Sequence, residues 1–404
     1  MQKIALNGLK IADFTWSAAG PVATKYLADY GATVVKIESS LQPDFLRTSR
    51  PFKDNKAGLD RAGFFVYKNS NKLSFALNLH LPKGIEVARR LAAWGDVVCE
   101  SFRPGVMESM GLSYEELRSI NPDIIMFRSS AQGQTGPGAR QPLFGMQLTA
   151  VAGFTTLTGW PDRDPSPPFG AYTDMVAPRF GALAIMSALV KRAKTGKGTC
   201  IDLSQLEASL QFLLPAIVDY AANGNVMKRT GNRCDSAAPH GVYRCAGEDV
   251  WVAISVFSDE QWHAFCGALL HPEWPQDTRF KELDDRKRNE DELDSVIDSV
   301  TALMPVQEIV HRMLAAGVPA SPVNNGKTVL EDQQLKARNY FWFMEHPEIG
   351  LMPHAGEAAQ MSQTPARPFR PAPCLGEHTE LVCREFLRMS DEEFLELSQQ
   401  GVFE

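Results

Sequence analysis

Apolar residues alternate with other side chains over residues 9–14, and a stripe at Val22, Ala23, Tyr26, Leu27 and Tyr30 then recurs with helical spacing behind Gly20-Pro21. A two-residue period divides side chains between the faces of a strand, whereas a three-to-four-residue period gathers them on one face of a helix. Gly31 closes that helix, and the β-branched run Thr33-Val34-Val35-Lys36-Ile37 suits a strand covered on both faces, so the opening segment predicts a βαβ unit. The pattern repeats with a strand over 73–79, a helix over 82–94 stopped by Gly95, and strands over 96–99 and 124–127. Between the last two, Ser113-x-x-Glu116 has the form of a capping box. Such alternation predicts an α/β fold with an open parallel, Rossmann-like sheet and ligands at the carboxyl ends of its strands.

A long helix is expected from Asp174 to Ala193, with Pro178 in its first turn, followed by a strand over 200–203 and a helix from Leu206 that Pro215 interrupts. Around Asn223-Gly224 the texture changes. Residues 241–245 and 250–256 flank Ala246-Gly247-Glu248-Asp249 as an antiparallel hairpin would. Helices follow, one capped by Ser258-x-x-Gln261, another within the charged run over 284–300 and a third over 306–316, then a proline-dense loop region to Pro373 and a short closing helix over 391–397. The expected organisation is a large domain begun by residues 1–222, a smaller α+β domain over 223–325, and a linker and return to the large domain over 326–404.

With 44% hydrophobic residues, a net charge of -7 and a pI of about 5.7, the chain lacks the cationic excess of a nucleic-acid binder. A polyanionic small ligand needs only a few local cations and stays open. No apolar run is read as spanning a bilayer and the Met1-Gln2-Lys3-Ile4 start does not read as a leader, so the expected location is cytoplasmic, without a membrane partner. The seven cysteines and eight histidines are scattered without metal-ligand spacing, so no metal site is expected. The turn Ala18-Ala19-Gly20-Pro21 lacks the G-x-G-x-x-G spacing of dinucleotide binding, and neither a phosphate-binding P-loop nor a G-x-S-x-G elbow occurs. No tightly bound cofactor is expected.

Several short segments, in order, resemble the family III coenzyme A transferases of the CaiB/BaiF, formyl-CoA transferase-like type. They include Leu6-Asn7-Gly8-Leu9-Lys10-Ile11, Ala19-Gly20-Pro21, Leu27-Ala28-Asp29-Tyr30-Gly31-Ala32, Asn71-Lys72-x-Ser74 and Glu100-Ser101-Phe102-Arg103-Pro104-Gly105. Further along come Gly133-x-x-Gly136-Pro137, Tyr172-Thr173-Asp174, Ile201-Asp202-Leu203-Ser204, Gly317-Val318-Pro319-Ala320 and Arg370-Pro371-Ala372-Pro373-x-Leu375-Gly376-Glu377. The resemblance spans nearly the whole chain. It implies a large domain built from both chain ends, a smaller domain between them, and an interlocked homodimer.

The resemblance also implies the chemistry. Asp174 matches the family's catalytic aspartate, which attacks an acyl-CoA thioester and passes through acyl-anhydride and aspartyl-thioester intermediates to move coenzyme A to a carboxylic acid acceptor. Asp is equally a common helix N-cap, so a capping role stands beside the catalytic one. By position in the matched motifs, Trp16, Ala18, Ser39, Asn71, Lys72, Ser101, Phe102 and Arg103 are the expected coenzyme A contacts, with Arg103 and Lys72 as phosphate-binding cations. Ser39 stands where many relatives have arginine, and Ser101 where asparagine is usual. Trp16, Phe144 and Tyr172 are candidates for an acyl pocket, and His240 with Gly241 for a lid or for acceptor recognition. Succinyl-CoA is an expected donor. An α-methylacyl-CoA racemase is the nearest alternative, but its histidine is missing from Leu143-Phe144-Gly145-Met146; an inactive CoA-binding protein is the other, against which Asp174 stands.

Overall fold

The computed structural model describes residues 4–404; residues 1–3, where the leader reading begins, lie outside the described residues. Six parallel strands form the main sheet: β1 (Lys10–Phe14), β2 (Thr33–Glu38), β3 (Leu73–Ala76), β4 (Val97–Glu100), β5 (Ile125–Ser130) and β6 (Thr199–Ser204), in the order β3-β2-β1-β4-β5-β6. The chain winds outward from β1 in one direction to β3 and in the other to β6. The carboxyl ends of β1 and β4 therefore border the crevice where the winding reverses. Register is tight: Ile11 pairs with both Val34 and Val97, and Asp13 with Lys36 and Cys99.

The intervening helices are α1 (Ala19–Asp29), α2 (Gly63–Lys68), α3 (Pro82–Trp94), α4 (Val106–Ser109), α5 (Tyr114–Ile120), α6 (Gly145–Val151), α7 (Phe154–Leu157) and α8 (Tyr172–Thr195). Successive strand residues enter opposite cores, as a two-residue period requires. Ile11, Val34, Val97, Ile125 and Phe127 pack against Ala23, Leu27, Ile185 and Ala188 of α1 and α8. Ala12, Val35, Val98 and Met126 face Val87 and Leu91 of α3 together with Val382, Cys383 and Val402 from the end of the chain. The Ser113–Glu116 capping box closes both ways at the start of α5.

Several expectations are corrected. α8 is long and apolar enough by length and composition to cross a bilayer, yet it packs along α1, β5 and β6; at Gly181 a Cβ would come 2.7 Å from the Phe127 ring, so the helix needs glycine to lie this close. Pro178 sits in the second turn of α8, not its first, and its missing N–H leaves the Asp174 carbonyl without the usual helical donor. The proline-dense stretch contains an antiparallel hairpin, β10 (Phe341–His346) with β11 (Gly350–Ala355), whose turn over 347–349 leads into Gly350 at φ +78°. Pro215 begins a helix of its own, Leu214–Asn223, after a break that follows Gln205–Leu210.

The chain divides into two compact units. The first comprises residues 1–154, 167–225 and 333–404, and so draws on both chain ends; the second comprises 155–166 and 226–332. In the second unit β7 (His240–Arg244), β8 (Trp251–Ser255) and β9 (Ala320–Pro322) form an antiparallel sheet. Helices Asp259–Ala268, Glu290–Thr301 and Val306–Ala315 cover its core of Trp262, Phe265, Ile297 and Met313.

Candidate active site

Asp174 lies in the first turn of α8, third after the cap residue Ala171, and its side chain makes no capping bond. The capping alternative is thereby corrected. The far end of α8 is tied to the amino edge of the sheet by Arg192, whose Nη2 donates to Asp96 Oδ1 at 2.9 Å just before β4, so the first turn points to the carboxyl edge. Burial lifts the Asp174 pKa from 3.8 to about 6, against the opposing pull of the Lys68 ammonium. Gly145, opening α6, presses on the carboxyl group: a Cβ there would lie 2.6 Å from Asp174 Oδ2 and 2.3 Å from the Ala171 Cβ. Its carbonyl accepts hydrogen bonds from Thr149 Oγ1 at 2.6 Å and Thr173 Oγ1 at 3.3 Å, which pins that glycine in place. Neither Gly145 nor Lys68 was singled out from the sequence. For Lys68 a signal existed, since it follows Phe65 by three residues on the buried face of α2.

Five of the expected coenzyme A contacts gather at the switch crevice. Trp16 and Ala18 follow β1, and Ser101, Phe102 and Arg103 follow β4. Ser101 ties the two strand ends together, its Oγ accepting from the Trp16 amide at 2.9 Å and donating to the Trp16 carbonyl at 3.3 Å, while Phe102 packs edge-on against Trp16 at 5.5 Å. Ser17 between them adopts φ +64°, held by its amide bond to Asp44 Oδ1 at 3.1 Å. Arg103 is exposed and makes no ion pair among the described residues.

Ser39 follows β2 and its Oγ accepts from the Leu41 amide. The other two contacts depart from expectation. Asn71 and Lys72 enter β3 at the amino end of the sheet, and their side chains are occupied by the protein. The Lys72 ammonium is wholly buried, its three hydrogens shared among four acceptors: Asp13 Oδ2 at 2.9 Å, Thr24 Oγ1 at 2.7 Å, the Pro21 carbonyl at 2.9 Å and Asn69 Oδ1 at 3.1 Å. No hydrogen remains for a phosphate, because an ammonium has three. Burial depresses the Lys72 pKa to about 8. Asn71 Nδ2 donates to Asp29 and to the Arg367 carbonyl, and its Oδ1 accepts from the amides of Phe369 and Arg370. It fastens the returning chain.

Beside Pro104 and Gly105 an open depression of about 500 Å³ is lined by Glu108, Arg128, Gln134, Thr135 and Arg140 among others. Arg128 is bound to Glu100 and Glu108, each at 2.8 Å, whereas Arg140 makes no ion pair among the described residues. Both polar atoms of the Gln134 amide are buried without a partner. In the second unit His240 opens β7 opposite Ser255, with its Nδ1 at the Asn232 carbonyl and its ring edge-on to Phe257 at 6.3 Å; Gly241 pairs with Ile254. No cluster able to hold a metal ion occurs among the described residues.

The profile of CoA-transferase family III matches residues 6–379. The chain belongs to that family. A human protein named succinyl-CoA:glutarate CoA-transferase is 32% identical over 398 residues, covering 98% of this chain and 89% of the relative. Succinyl-CoA–D-citramalate CoA-transferase of Chloroflexus aurantiacus is 30% identical, with 98% of each chain covered. Among solved structures, a CaiB/BaiF family protein from Brucella suis superposes with a TM-score of 0.88 at 30% identity, over 95% of this chain and all of that one. As a family III CoA-transferase the protein is an enzyme acting on coenzyme A thioesters.

Proposed function

We propose that this enzyme transfers coenzyme A from succinyl-CoA to a second carboxylic acid, with Asp174 as the covalent acyl carrier. The observation that carries this reading is a half-buried Asp174 carboxyl with a pKa of about 6, uncommitted to any cap, beside a buried ammonium. At neutral pH it is ionised, yet more basic than an ordinary aspartate and hence more nucleophilic toward a thioester carbonyl. Attack expels coenzyme A as a thiolate and leaves an acyl-aspartyl anhydride. The thiolate then attacks the aspartyl carbonyl, releasing succinate and forming the aspartyl thioester. The acceptor carboxylate repeats the sequence in reverse. No proton need move. The relatives that act on succinyl-CoA by name support the choice of donor.

In this reading the nucleotide end of coenzyme A lies along the crevice after β1 and β4, with Arg103 and Arg140 as free cations for its phosphates and the unpartnered Gln134 amide facing the depression. A second subunit is also proposed. Leu183 and Val190 of α8 and Ile217, Val218 and Tyr220 of the Leu214–Asn223 helix are exposed apolar side chains that a second subunit would cover. The test is chemical trapping. Succinyl-CoA with hydroxylamine is expected to convert Asp174 to its hydroxamate, seen as a mass change on the peptide that contains it; unmodified Asp174 after many turnovers would remove the covalent role. A panel of acids with succinyl-CoA then identifies the acceptor.

A further inference from the structure

Buried cations in this molecule come with carboxylates. Lys36 lies 2.9 Å from Asp44, Lys72 2.9 Å from Asp13, Arg47 2.7 Å from Glu38 and Arg286 2.9 Å from Asp259. Lys68, only 5% exposed at the end of α2, is the exception. No carboxylate among the described residues lies within 4.0 Å of its Nζ, whose one hydrogen-bonding neighbour is Met175 Sδ at 4.0 Å. A thioether is a weak acceptor, and a buried charge without a close counterion is costly. Met175 is the residue after Asp174, so the unpaired ammonium stands at the nucleophile, and Asp174 and Asp44 are the carboxylates whose fields reach it.

We infer that Lys68 holds the free carboxylate of the acid substrate as it attacks, or departs from, the acyl carbon of Asp174. This rests on Asp174 being the acyl carrier. In the acceptor step an oxygen of the incoming carboxylate bonds to the Asp174 carbonyl carbon, the carbon–sulfur bond breaks, and the electron pair leaves on the coenzyme A thiolate. Negative charge thus arrives on oxygen and departs on sulfur at one point. When Asp174 is acylated it is neutral, and Lys68 loses the negative charge that acts on it most strongly. The ammonium then attracts an external carboxylate most strongly in the intermediate that must react with one.

The experiment follows exchange of labelled succinate into succinyl-CoA, which needs no knowledge of the acceptor, with the full-length protein and its K68M variant. The variant is expected to raise the apparent KM for succinate at least tenfold while the KM for succinyl-CoA stays within about twofold, in keeping with loss of a charge-assisted bond to the acid alone. Its acid limb in kcat/KM should also move to higher pH, since Lys68 holds the Asp174 pKa down. An unchanged KM for succinate, or equal rises for both substrates, overturns the inference. In the wild-type protein, inhibition of exchange by added glutarate is compared with that by glutaramide, its neutral diamide; equal potency also overturns it, whatever the folding of the variant. Absence of any acyl group on wild-type Asp174 would instead remove the parent reading.

Discussion

Lys68 and Lys72 stand four positions apart in the sequence, both are buried and both have an aspartate as neighbour, yet only Lys72 is ion-paired with its aspartate, and the two arrangements serve different ends. Lys72 meets Asp13 at 2.9 Å, and Asp13 also accepts from Thr15 and Thr24. Burial alone would raise the Asp13 pKa, but Lys72, Lys36 and the two hydroxyl groups hold it below its usual range. All its bonds are internal, and it locks β1, α1 and the entry to β3 together. Lys68 and Asp174 are held more than 4 Å apart, the carboxylate is partly open, and burial there wins over attraction. A satisfied buried pair is scaffold, whereas an incompletely satisfied one is poised for a ligand.

The contrast can be broken most severely at Asp174. D174N is expected to lower kcat by about four orders of magnitude, as loss of a covalent nucleophile does. Because the folded pKa exceeds the unfolded value, ionising Asp174 costs stability above pH ~4 and fully so above about 6; D174N should therefore be more stable by about 1–2 kcal/mol at pH 7.5, allowing for partial exposure, with the gain fading between pH 6 and 4 in thermal melts. At the other pair K72M should act the opposite way, destabilising by about 3–5 kcal/mol in urea titrations by stranding Asp13. The folded fraction should keep its KM for the CoA ester.

G145A sharpens the picture without touching a charge. Its methyl group would meet the Asp174 carboxyl at 2.6 Å, so kcat should fall about 100-fold with little change in the far-ultraviolet spectrum. R103A should raise the KM for coenzyme A esters about tenfold, as removal of a single phosphate-binding cation would, and an unchanged KM would exclude it from the site. The smallest effect is the wild-type pH profile. Activity should be level above pH ~7 and fall with one proton through about 6; a limb near 4 would mean that Asp174 does not sit in the environment described.

The order of strands and helices was legible because burial on both faces writes itself into β-branched runs and glycine stops. β1, β2 and the helix Pro82–Trp94 fall where the pattern puts them. The β10–β11 hairpin was not, since prolines at 347, 353 and around it read as loop although Pro353 pairs across the ladder with Phe343. Of the candidate site, Asp174 and the segment Ser101-Phe102-Arg103 were readable as motifs, and chain order alone places them after a strand or at a helix start. Which lysine faces ligand and which faces protein was not readable, because a lysine side chain spans several ångströms and its partner is chosen by what the fold brings within reach. Local pattern determines where strands, helices and turns form, since each depends on neighbouring residues. Only tertiary packing decided that Asn71 and Lys72 would be consumed by contacts distant in sequence, that Gly145 would abut Asp174, and that Lys68 would be buried beside it without a counterion, because burial and electrostatics at a site are sums over elements that the chain brings together only on folding.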